Sequence, residues 1–182
     1  MRIISGSFKG RKIVAPKNLP VRPTTDMAKE SLFNILNNHY YFDEISVLDL
    51  FAGTGNISYE FASRGTENIT SVDQHFGCIK FINQTAQDFD MPINTKKSDV
   101  FKYLKNINTK YDIIFADPPY DFTIEQFSNI PEIVFKENLL ENDGMLIVEH
   151  SKHTDLKELN NYSYSKSYGG SVFSFFELPH SQ

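Results

Sequence analysis

Tryptophan is absent from this 182-residue chain, and cysteine occurs once. A single thiol makes no internal disulfide and cannot build a Cys-rich zinc or iron–sulfur centre. His75, His150 and His153 have no companions at metal-ligand spacing, so no metal is expected. No run of about 18 apolar residues is present, which excludes a membrane-spanning helix. The opening stretch, residues 1–16, has too short an apolar run for a signal peptide. Internal repeats and low-complexity tracts are also missing. What remains is the expectation of a cytoplasmic, monomeric protein. At this length one domain can bury roughly two thirds of its surface without staples.

Negative charge is missing from one end. Residues 1–22 hold Arg2, Lys9, Arg11, Lys12, Lys17 and Arg22, with no Asp or Glu. The whole chain carries a net charge of −5, so this +6 segment leaves −11 for the rest. A basic arm on an acidic body can sit on phosphates. A solvated terminal hairpin is the plainer alternative. Residues 2–5 and 11–14 read as two short strands turning between Gly6 and Gly10. Pro16, Pro20 and Pro23 then hold an extended linker. Thr24 or Thr25 can cap a helix starting near Asp26, whose apolar face is Ala28, Leu32, Ile35 and Leu36.

From residue 46 the pattern changes. Short apolar runs at 46–50, 69–73, 112–116 and 145–149, with a weaker one at 93–97, read as strands. Stretches of helical length lie between them, at 57–64, 76–88, 100–107 and 124–136. That alternation reads as βαβ units with a mostly parallel sheet covered on both faces. Aromatic-rich runs at 162–168 and 172–178 meet across Gly169–Gly170, which permits a tight antiparallel hairpin. The fold class is α/β, in one domain with an N-terminal β-hairpin.

The segment from Val47 to Gly55 is a strand that ends in a glycine turn, followed by a helix. In an open parallel sheet that position is the ligand crevice at the carboxyl edge. A phosphate loop is excluded, because no Lys-Ser/Thr pair follows. A dinucleotide loop fits poorly, since Ser58 stands where the third glycine belongs, and Asp49 would repel pyrophosphate. Asp73, at the end of the next strand, can accept bonds from ribose hydroxyls. Asp99, after the third, can meet an adenine amine. Each could instead be a helix cap. Taken together they describe a ligand with an amino acid, a ribose and an adenine but no phosphate, which is S-adenosylmethionine. The run Asp49–Gly55 resembles the first motif of class I S-adenosylmethionine-dependent methyltransferases.

A second constellation follows the strand at 111–116. Asp117-Pro118-Pro119-Tyr120 places a carboxylate and a free carbonyl on a stiff backbone, with an aromatic ring beside them. An aryl amine is a poor nucleophile, and two acceptors on its N–H groups would favour the pyramidal nitrogen of the transition state. Carbon-5 chemistry would need a thiol nucleophile, and Cys78 sits inside a helical stretch as core filler. The tetrapeptide resembles the fourth motif of amino-group methyltransferases.

The resemblance narrows further. Arg2–Gly6, Lys9–Lys12, Arg22–Asp26, Lys29-Glu30, Leu32–Leu36, Ser63–Gly65 and Asp117–Tyr120 together resemble the bacterial 16S rRNA (guanine-966-N2) methyltransferases along essentially the full chain. That resemblance implies a Rossmann-like domain over 23–182, with a mostly parallel seven-stranded sheet and a C-terminal antiparallel hairpin, preceded by a basic segment over 1–22. It implies S-adenosylmethionine held by Arg22, Thr24, Asp49, Phe51, Ala52, Gly53, Gly55, Asp73, Gln74, Asp99, Val100 and Asp117. It assigns catalysis to Asp117, Pro118, Pro119 and Tyr120, and contact with rRNA phosphates to Arg2, Lys9, Arg11, Lys12 and Lys17. The implied partner is 16S rRNA in an assembling small ribosomal subunit. Asp73 departs from the Glu that many relatives carry, though both reach ribose hydroxyls. Other amine acceptors (DNA adenine N6, another rRNA base, protein glutamine) and a non-catalytic RNA-binding assembly factor remain the alternatives.

Overall fold

The computed structural model describes residues 1–22 and 24–179, so Pro23 of the expected linker lies outside the described residues. Its centre is one seven-stranded sheet in the order β3-β2-β1-β4-β5-β7-β6. The strands are β1 (Ser46–Leu50), β2 (Asn68–Asp73), β3 (Ile93–Lys97), β4 (Tyr111–Ala116), β5 (Leu140–Ser151), β6 (Tyr162–Tyr168) and β7 (Ser171–Glu177). The first five run parallel, and β7 enters antiparallel between β5 and β6. This is the Rossmann-like sheet with a C-terminal antiparallel pair that the resemblance implies.

Helices cover both faces. Val47, Ile113, Phe115 and Ile147 pack with α1 (Asp26–Leu36), α2 (Asn56–Ser63) and α3 (Phe76–Asp88). Leu48, Leu50, Ile114, Leu146 and Val148 pack with α4 (Val100–Leu104) and α5 (Ile124–Lys136). Successive strand residues thus feed opposite cores, as the twofold period of a strand requires. Sequential order reverses between β1 and β4, which sit side by side. The carboxyl ends of these two strands therefore open the crevice where such sheets bind ligands.

Several bounds differ from expectation for local reasons. The strand expected at 145–149 runs from Leu140 to Ser151, because β4 pairs with one of its edges and β7 with the other. The helix expected to reach residue 107 stops at Leu104; the Asn106 side chain turns back to donate through Nδ2 to the Lys102 carbonyl at 2.7 Å. Of the two capping candidates, Thr25 accepts the Ala28 N–H at 3.2 Å.

The N-terminal strands expected at 2–5 and 11–14 reduce to one antiparallel bridge, between Arg2 and Lys12. The pairing ends there because the chain turns at once, the Gly10 N–H donating to the Ile3 carbonyl and the Arg11 N–H to the Phe8 carbonyl, while the Ile4 and Ser5 amides donate to the Glu60 carboxylate at 2.9 and 3.0 Å. Glu60 is fully buried on α2 and also pairs with Lys29 of α1 at 3.4 Å and with Arg64 at 2.9 Å. Lys29 in turn donates to the Arg2 carbonyl and to Asn56. Ile3 and Ile13 are buried in the α1-side core. The basic segment is therefore docked on the sheet domain and shares its core.

Candidate active site

The chain leaves β1 through a strained turn. Phe51 adopts the left-handed region at φ +54°, unusual for a residue with a side chain. Gly55, at φ +84°, can carry no Cβ, since one would stand 2.8 Å from the Tyr59 ring. The turn is fastened across the cleft by Asp73, whose carboxylate accepts the Gly53 N–H at 2.9 Å and the His75 N–H at 2.8 Å. Asp73 is thus not the cap of α3, whose capping position is His75. Asp99 does cap its helix, accepting the Lys102 N–H at 2.9 Å, while its side chain remains exposed beside the cleft.

Asp49 lies beneath this turn and is 2% exposed. Ser58 donates to it at 2.6 Å and shares a second hydrogen bond with Ser71. The residue that replaces a third glycine is therefore the partner of the buried acid. Removal from water pushes the Asp49 carboxyl up to about 7, against the opposing Ser58 bond.

β4 delivers Asp117-Pro118-Pro119-Tyr120 beside that loop. Leu50 pairs with Ala116, and the Asp117 N–H faces the Leu50 carbonyl. Asp117 shares the parity of Ile113 and Phe115, so it points to the face covered by α1 and α2, as Asp49 does. Glu149 of β5 joins them, because Val148 pairs with Ala116 and the next residue of each strand falls on the same face. Glu149 is 2% exposed and accepts a bond from the Thr24 hydroxyl at 2.7 Å. Burial, first, and then the charges of Glu149 and Asp49 hold the Asp117 carboxyl well above the ordinary range; Arg22 opposes them. Arg22 reaches across with its guanidinium 5.0 Å from the centre of the Tyr120 ring. One face of that ring is therefore already covered.

All the predicted catalytic and cofactor residues except Gly55 line one cleft of about 830 Å³, a size suited to a nucleoside-containing ligand. Gly55 lies just beneath, packed on Tyr59. Among the described residues, Arg22 is the only Lys or Arg on the wall, against Asp49, Asp73, Asp99 and Asp117. So acidic a lining suits a cationic ligand with hydroxyl and amino groups. Cys78 is buried, with its thiol pushed up to about 11, and fills space as expected. The predicted RNA residues Arg2, Lys9, Arg11, Lys12 and Lys17 do not line this cleft; they are exposed on the docked N-terminal segment.

Some wall residues were not anticipated. Phe101 and Phe122 stack at 6.2 Å, and Phe51 meets both edge-on. Nothing in the local sequence marks them, because they come from α4 and from the loop before α5. Glu149, buried behind the wall and not part of its lining, was legible only as the last residue of an expected strand. Its parity with Asp49 and Asp117 is the signal that could have singled it out.

The family model described as conserved hypothetical protein 95 matches residues 1–177. The chain is 34% identical to "Putative rRNA methyltransferase YlbH" of Bacillus subtilis, over 87% of this chain and 86% of that protein. It is 31% identical to "Ribosomal RNA small subunit methyltransferase D" of Escherichia coli, over 82% of this chain and 71% of that protein. Among solved structures, "Putative methyltransferase yhhF from Escherichia coli" superposes with a TM-score of 0.84 at 26% identity, covering 97% of this chain and 96% of that one.

Proposed function

The chain belongs to the family described as conserved hypothetical protein 95, and from that premise we propose that it methylates the N2 amine of guanine 966 in 16S rRNA. It is an S-adenosylmethionine-dependent methyltransferase with the fold of that class. The observation that carries the amine reading is the placement of Asp117–Tyr120, and the likeness to rRNA methyltransferases along the chain supports guanine in 16S rRNA as its target. The tetrapeptide leaves β4 directly beside the glycine turn of β1 and opens into the same acidic cleft.

When bound, the cofactor supplies an electrophilic methyl group on a positively charged sulfur. The chain's own residues bind, orient and neutralise. Asp49 and the turn at Gly53–Gly55 would face the methionine end, and Arg22 and Thr24 would fold over it. Asp73 and Gln74 would meet the ribose, with Asp99 and Val100 at the adenine. On the other side, the Asp117 carboxylate and the Pro118 carbonyl would accept the two N–H bonds of the guanine amine. Those bonds align the nitrogen for in-line attack and take up its developing positive charge. Pro119 keeps the loop stiff, and Tyr120 offers a ring for the base once Arg22 moves aside. The base must be unpaired or extruded to reach this depth, which a loop nucleotide makes cheap.

Residues 23–182 form the catalytic part in this reading, and residues 1–22 reach the rRNA. Arg2, Lys9, Arg11, Lys12 and Lys17 would rest on phosphates of an assembling small subunit in the cytoplasm, with the enzyme acting as a monomer. A preformed ribonucleoprotein would ask less of an acidic enzyme than naked RNA. The test is transfer of labelled methyl to 16S rRNA, to small-subunit particles lacking the modification and to duplex DNA, followed by digestion to nucleosides. N2-methylguanosine from particles is expected. Label in DNA adenine would keep the amine chemistry and overturn the substrate.

A further inference from the structure

The methyl-transfer chemistry leaves Glu149 without a role, although few acids in the molecule are as deeply buried. It lies next to Asp117 at the carboxyl edge, on the same face, as the β4–β5 register requires. The Thr24 hydroxyl donates to it at 2.7 Å. Among the described residues no side chain donates to Asp117. Among the described residues, the other charges that bear on Asp117 are Asp49 from β1 and Arg22 from the segment before α1; the buried Lys29–Glu60 pair of α1 and α2 lies behind them, with Lys29 donating to Asn56. Asp73 of β2 bears on Asp49, and His150 turns away to Ser174 and the Ser151 carbonyl.

Asp117 and Glu149 thus share one guanidinium, which leans on Tyr120, with Asp49 as a third acid close to Asp117. Two neighbouring carboxylates in a poorly hydrated place do not both ionise readily, and they titrate as a pair. The Thr24 donor favours the charged form of Glu149, so its charge falls on Asp117.

We propose that Glu149 is a positioning residue that makes the Asp117–Glu149 pair retain one proton in the ligand-free enzyme, a proton expelled when the cationic cofactor enters the cleft. The inference rests on the reading of Asp117 as acceptor of the guanine amine. One positive charge enters and one proton leaves to solvent, so the cleft's charge is conserved. Asp117 then becomes a full acceptor only when the methyl donor is in place. After transfer the nitrogen has gained a bond to carbon, the sulfur has lost its bond and its charge, and the pair takes up the proton that the amine sheds.

Calorimetric titration of the protein with S-adenosylmethionine near neutral pH, in buffers of different ionisation enthalpy, counts the protons released. About one proton per site is expected, with distinctly less for S-adenosylhomocysteine, whose sulfur is neutral. In Glu149→Gln the count for S-adenosylmethionine should fall by at least half, and the rise of affinity with pH should flatten. Asp117→Asn, which preserves shape, should act the same way and serves if the first variant folds poorly. An unchanged count in both variants would overturn the proposal and move the proton to Asp49. Equal release with the two ligands would also overturn it. No RNA is present in this titration. Failure to label guanine would therefore refute the substrate reading and leave the proton count standing.

Discussion

Replacing Asp117 by Ala removes an acceptor that is needed as charge develops on the amine, so turnover should fall by about 10²–10³-fold, while cofactor affinity changes by only a few-fold. Single-turnover rates at saturating cofactor, beside equilibrium binding, separate the two effects. A weakened affinity with intact turnover would place Asp117 with the cofactor instead. Asp73→Ala should behave in the opposite way. Its carboxylate holds the Gly53 and His75 amides as well as facing the cleft. Losing these charge-assisted bonds should weaken cofactor binding by about 10–100-fold. Unchanged affinity would make Asp73 only a brace for the turn. The dual possibility raised by sequence, ligand acceptor or helix cap, resolves differently at each aspartate. Asp99 caps its helix, whereas Asp73 fastens a turn contributed by another strand, a bond no local pattern could announce.

At the scale of elements, the decisive interaction is the buried pair between Lys29 of α1 and Glu60 of α2. Burial lowers the Lys29 pKa, with Glu60 opposing the shift. Glu60→Ala would leave that ammonium without its partner and also release the Ile4 and Ser5 amides. A loss of about 3–5 kcal/mol is expected for breaking such a pair, read by urea denaturation. The N-terminal segment should at the same time become sensitive to trypsin at Lys9, Arg11 and Lys12. Unaltered resistance there would mean that Ile3 and Ile13 alone hold the segment. The expected hairpin was visible in its glycines and its alternating residues. Its docking was not, because the acceptor for the Ile4 amide lies 56 residues further along the chain.

Over the whole molecule, the separation of charge is the property that bears on a polyanionic partner. Lys9, Arg11 and Lys12 are exposed on the docked segment, with the Arg11 guanidinium 5.1 Å from the centre of the Phe89 ring. Neutralising the three together should weaken RNA binding and reduce the slope of log affinity against log salt by about 0.7 for each phosphate left without its cation. Fluorescence anisotropy with an rRNA fragment across a salt series measures this. An unmoved slope would remove these residues from the interface.

The order of strands and helices, the two-face burial of β1 and β4, and the placing of the glycine turn and of Asp117–Tyr120 at strand ends were all written in the sequence. Each depends on periodicity or on neighbours within a few residues, which linear spacing preserves. The convergence of Asp49, Asp117 and Glu149 on one face was decided by sheet register. The cover of Arg22 over Tyr120 and the docking of the basic segment by Glu60 were decided by packing between distant segments. Such arrangements join residues whose separation along the chain carries no signal, and only the assembled sheet with its helices in place brings their charges within reach of one another.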